Sequence, residues 1–156
     1  MISLIYILLL FELLTGTENS LGSGFNIVPF QEIFRYEIGS RKFIYNVLGN
    51  ILIFVPFGYF ISRAIKPRGV ATIIIDSVLT SLTVELVQLN IGRSFDIDDI
   101  MLNMVGGIVG YFLYVGLDAI YNHLPRFLQR DFIYDLICGI IFIGFVAYML
   151  KVVGIW

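Results

Sequence analysis

Four stretches of this 156-residue chain, 43–65, 70–91, 100–120 and 132–156, are apolar enough and long enough to cross a bilayer as helices. A hydrocarbon core about 30 Å thick takes roughly 20 residues of helix, and each stretch supplies them. A fifth apolar run, 2–14, spans only about 20 Å at about 1.5 Å per residue. It lacks the basic start and small-residue cleavage site of a signal peptide, so a short or truncated first span is expected there. The expected fold is therefore all-α: a compact multi-pass transmembrane helical bundle with four long spans plus a short amino-terminal one.

Composition agrees. The chain is 58% hydrophobic and only 14% charged, with a mean hydropathy of +0.91, far from the balance of a soluble domain. A net charge of −2 gives no reason to expect nucleic acid or another polyanion. The single cysteine, Cys138, sits in an apolar run and reads as a small hydrophobe. His123, the only histidine, lies in a connection, so neither a histidine triad nor a zinc site can be built. There is no phosphate-cradling glycine loop, no CxxC and no nucleophile elbow. No metal or other cofactor is expected. One domain, 1–156, is expected, without repeats.

The long connection 15–42 begins with loop composition, TGTENSLGSG, and continues as FNIVPFQEIFRYEIGSRK, where aromatics mix with charges around Pro29. Phe30, Ile33, Phe34 and Tyr36 make this second part a candidate re-entrant or interfacial element. Lys and Arg in short loops set orientation. Arg63, Lys66 and Arg68 lie in one connection without an acid, whereas Arg93 stands against Asp96, Asp98 and Asp99 in the next. The acidic connection is expected outside, with the amino terminus in and the carboxyl terminus out.

Ionisable groups near membrane depth are costly and mark functional sites by default. Here they share helical faces. Ser77, Ser81 and Glu85 are four apart and Gln88 follows by three; Asp99, Asn103, Gly106 and Gly110 repeat at four, three and four; Asn46 and Asn50 are again four apart. Three polar stripes turned inward would wall a polar pocket toward the outer end of the bundle, formed by Asn46, Asn50, Glu85, Gln88, Asp99 and Asn103, into which Arg93 would also point. Gly106 and Gly110 form a small-xxx-small pair that lets a neighbouring helix approach. A carboxyl such as Glu85 suits a general acid, a proton carrier or a hydrogen-bond donor. For Asp96 and Asp98, capping of the next helix with a loop ion pair to Arg93 is the simpler expectation; with Asp99 they could also hold a hard divalent cation. The amides could serve as interhelical glue, and Glu85 could be neutralised by Arg93.

These residues carry a resemblance. NIVPF (26–30), NVLGNILIFVPFGYF (46–60) and VELVQLNIGRSFDIDDIMLNMVGGIVGY (84–111) together resemble the VanZ-like family of bacterial membrane proteins, over a core of about 26–114. The run Glu85, Gln88, Arg93, Asp96, Asp99, Asn103 and Gly106 is its most specific part. The extra span 132–156 lies outside it. The resemblance implies a multi-pass protein of the bacterial cytoplasmic membrane whose namesake is associated with low-level resistance to the glycopeptide teicoplanin; it implies no known reaction. Teicoplanin carries an acyl chain and binds cell-wall precursor termini at the outer membrane face. Three functions are then expected in order: binding of a lipid-linked precursor or lipoglycopeptide through Asn46, Asn50, Glu85, Gln88, Arg93, Asp96, Asp99 and Asn103; an intramembrane enzyme acting on a lipid or glycolipid with Glu85 as general acid or base and Asp99 as its partner; and a proton-coupled transporter, which a homo-oligomer would make easier to build. Membrane lipids are partners in all three.

Overall fold

The computed structural model describes residues 24–121 and Ile140. Within them lie three helices long and apolar enough to span a membrane. Helix α1 covers Arg41–Ile65, α2 Val70–Asn90 and α3 Ile97–Tyr121. Two short strands, β1 (Phe25–Asn26) and β2 (Phe95–Asp96), pair in parallel, Phe25 with Phe95 and Asn26 with Asp96. The expected spans 2–14 and 132–156 lie outside the described residues apart from Ile140. The chain divides after Phe112: the residues up to it make one compact unit and those from Leu113 a second.

Local chemistry sets the helix ends. Ser40 is the N-cap of α1, its hydroxyl accepting from the Phe43 N–H at 3.2 Å. A π-helical stretch, Ile44–Leu48, follows before regular helix resumes at Gly49. Pro56 lies inside α1, which spanning helices tolerate. The helix stops where Lys66 turns left-handed, φ 48°, with its N–H on the Ser62 carbonyl and Pro67 next in sequence. Helix α2 closes in a Schellman motif: Gly92 takes φ 88°, its N–H reaches the Leu89 carbonyl at 3.2 Å, and the Arg93 N–H reaches the Gln88 carbonyl at 3.0 Å. That turn folds Arg93 back over the end of α2.

The helices are packed inside out by the standards of a soluble protein. The polar side chains of Ser77, Ser81, Glu85 and Gln88 on α2 and of Asn103 on α3 are buried, whereas Ile75, Leu79 and Leu86 and Val105, Val109 and Phe112 are exposed. Lipid is the solvent that makes this favourable, since apolar side chains gain nothing by leaving it. The apolar part of the core, Phe54, Phe57, Tyr59, Phe60, Ile73, Val84 and Leu102, is drawn from all three helices.

Glycine brings α1 and α3 into backbone contact. A Cβ placed on Gly58 would fall on the Gly107 carbonyl, one on Gly106 on the Ile51 carbonyl, and one on Gly110 on the Val55 carbonyl. The expected close approach at Gly106 and Gly110 is thus against α1. Between α2 and α3 the facing pairs run in opposite directions: Asn103 donates to the Ser81 hydroxyl at 2.8 Å, and one turn further on Gly107 lies against Ser77.

Candidate functional site

The ends of these helices bring the sequence-predicted polar residues together unevenly. Glu85, Gln88, Asp98 and Asn103 are buried, Asn50, Arg93, Asp96 and Asp99 half-buried, and Asn46 exposed. Asn50 donates its side-chain amide to the Asp99 carboxylate, tying α1 to α3. Glu85 Oε2 accepts the Asp96 backbone N–H at 2.9 Å, tying α2 to the strand that leads into α3. The charges of Glu85, Arg93, Asp96 and Asp98 all act on Asp99, and those of Asp96 and Arg93 act on Glu85. The site is therefore a group of four carboxylates and one guanidinium where α2 ends and α3 begins.

Capping explains one of the two acids expected to cap. Asp96 Oδ1 accepts the Asp98 N–H at 2.9 Å, which is the helix-start role, and also the Asn26 side-chain amide at 2.9 Å. Asp98 does something else. Its carboxylate, 1% exposed, accepts three backbone N–H groups of the loop between β1 and α1: Phe30 at 2.6 Å on Oδ1, Glu32 at 2.8 Å and Ile33 at 3.2 Å on Oδ2. Sequence reasoning missed this because the donors lie 65 to 68 residues away and are backbone groups, which leave no mark on side-chain periodicity. The one available signal was Pro29 beside an aromatic. Phe30 sits at φ 68°, a costly conformation for a bulky residue, and Asp98 holds its N–H there.

Burial pushes the Asp96 carboxyl up from the ordinary range, and the neighbouring Asp98 charge adds to this; hydrogen bonds from the Asp98 N–H and Asn26 oppose it. Among the described residues no group of His, Cys, Asp and Glu is arranged to hold a metal ion, and the three backbone donors already claim both oxygens of Asp98. Deeper in the bundle, Asn103 Oδ1 and Ser77 Oγ are buried without a hydrogen-bond partner.

Spanning-length helices with polar residues turned inward, and an acidic group where two helices meet, define a small multi-pass type of membrane protein. The VanZ/LLP1 family model matches residues 1–121, and the chain belongs to that family. The match includes all of the site. No curated protein and no solved structure matches the chain.

Proposed function

We propose that this VanZ/LLP1-family membrane protein binds an amphiphilic cell-envelope ligand, a lipid-linked precursor or a lipoglycopeptide of the teicoplanin kind, at the end of the bundle that carries Glu85, Arg93 and Asp99. It thereby contributes to glycopeptide resistance or envelope homeostasis. The observation that carries this reading is the division of labour among the acids. Asp96 and Asp98 hold the scaffold, while half-buried Asp99, linked to Asn50, lies within electrostatic reach of Glu85 and Arg93. A polar group ringed by lipid-facing helix surfaces suits a molecule with a polar head and an acyl tail. The excess of Lys and Arg in the Arg63–Arg68 connection supports placing this end outside, with the amino terminus in, in a bacterial cytoplasmic membrane.

Dye-labelled teicoplanin, titrated against the purified protein in nanodiscs, tests the reading. Wild type should bind, and Glu85→Gln and Arg93→Lys should each weaken binding about tenfold, about 1.4 kcal/mol. Wild-type protein that fails to bind, or variants that bind equally well, would sink it. The opposition of Glu85 and Asp99 also supports a second reading, general acid–base chemistry on a lipid or glycolipid. Lipid profiles of cells carrying wild type and Glu85→Ala would then differ by a new or missing species; identical profiles refute it.

A further inference from the structure

The segment 25–38 has two faces. Some of its polar groups turn toward the helix bundle: Asn26 bonds to Asp96, and the N–H groups of Phe30, Glu32 and Ile33 bond to Asp98. Gln31, Glu37 and Arg35, which pairs with Glu32 at 3.0 Å, are instead exposed and suited to the headgroup level. Its large apolar side chains turn away. Phe25 is 70% exposed, Ile27 67%, Phe34 67% and Ile38 78%, with Val28 and Phe30 at least half exposed. So much apolar surface on one short segment needs a cover.

Both ends of the segment are pinned to span ends. Phe25 pairs with Phe95, two residues before α3 starts at Ile97, with their rings 6.1 Å apart. Ile38 precedes α1, which starts at Arg41, by three residues, a reach of about 10 Å at most. The headgroup region on each side of the hydrocarbon core is several ångströms thick, about 5–8 Å. The segment therefore lies at the level where α1 and α3 leave the hydrocarbon.

We propose that residues 25–38 form a membrane-surface clip: Phe25, Ile27, Phe30, Phe34 and Ile38 enter the headgroup–acyl boundary of one phospholipid leaflet while Asp96 and Asp98 fasten the polar side to the bundle. The cover is lipid, not protein, and the clip runs along the interface without plunging through it as a re-entrant loop would. Exposed Arg41 and Lys42 stand beside it at the level of the phosphates. The inference rests on where the spans end and is independent of any ligand at Glu85.

The test uses the full chain with Trp156→Phe, reconstituted in phosphatidylcholine vesicles, carrying one new tryptophan at a time: Phe34→Trp, Ile38→Trp or, as a mid-span reference, Leu79→Trp. Spin labels near the lipid headgroup should quench tryptophan at 34 and 38 about twofold more than labels near the chain end, and the reference should show the reverse. Adding Asp98→Asn should relieve quenching at 34 and raise its access to iodide while leaving the reference unchanged, which separates loss of the clip from loss of the fold. Three results would overturn the proposal: tryptophan at 34 open to iodide in the wild-type background, which means water; tryptophan shielded from both iodide and lipid labels, which means a protein partner; or stronger quenching by deep labels, which means a re-entrant loop.

Discussion

At the residue scale Asp98 is the most consequential side chain. One buried carboxylate satisfies three backbone donors, and charge-assisted bonds of this kind are worth more than neutral ones. Asp98→Asn turns an acceptor into a donor facing other donors, so we expect a loss of about 3 kcal/mol. It should be read as a lower thermal unfolding midpoint in detergent together with new protease cleavage within 25–38. Asp96 makes a different prediction. Its folded pKa is raised, chiefly by burial, so the folded state holds this proton more tightly than the unfolded one. Its stabilising effect is complete below the unfolded value, about pH 4, and declines as pH rises through the folded value. Asp96→Asn keeps an acceptor for Asn26 and the Asp98 N–H, so its midpoint should vary less over that range than the wild type's; equal slopes would refute the assignment. Asp96 was legible as a helix start from its place before an apolar run. Asp98 was not, because its partners are contributed by the remote loop.

At the scale of elements, the inward stripes were the most readable feature. Four-residue spacing placed Ser77, Ser81 and Glu85 on one face of α2, and all three are buried. The same spacing linked Asn46 to Asn50, yet Asn46 is exposed, because a π-helical stretch through Leu48 alters the angle between them. Helix α3 begins at Ile97, earlier than the apolar run suggested. Asp98 and Asp99 occupy its first turn, where carboxylates favour the helix start but hydropathy reads them as loop. The glycines separate cleanly. Gly106→Ala and Gly110→Ala would drive a methyl into the α1 backbone and should cost on the order of 2 kcal/mol or more. Gly116→Ala meets nothing within 4 Å and should be neutral or gain up to about 1 kcal/mol of helix propensity. Thermal unfolding followed by circular dichroism distinguishes them, and equal midpoints would refute the close contact.

For the whole molecule, hydropathy located the three described spans to within a few residues, and its remaining spans fall on residues the structure does not describe. What hydropathy could not supply is the link between chain ends of different spans. The parallel pairing of β1 with β2 joins the segment before α1 to the connection after α2. Both must therefore lie on the same side of the membrane, opposite Lys66. In a Cys138→Ser background, Glu37→Cys and Ser94→Cys should be labelled by a membrane-impermeant thiol reagent from one side and Lys66→Cys from the other. Labelling of positions 37 and 94 from opposite sides would break this arrangement. If the shared side is the outer one, the proposed ligand site faces the cell exterior.

The antiparallel facing of α2 and α3 sets a limit on how this sequence can change length. Each inserted residue turns a helix by about 100°. One extra residue between Ser81 and Glu85, with the turn held at Gly92, would swing Ser77 and Ser81 together toward the lipid and leave Asn103 facing apolar neighbours. Substitutions along this hairpin can be absorbed one by one, but an insertion offsets every rung behind it at once. The pair of helices behaves as a zip with a fixed tooth count, and its reading frame in space is as strict as that of the gene.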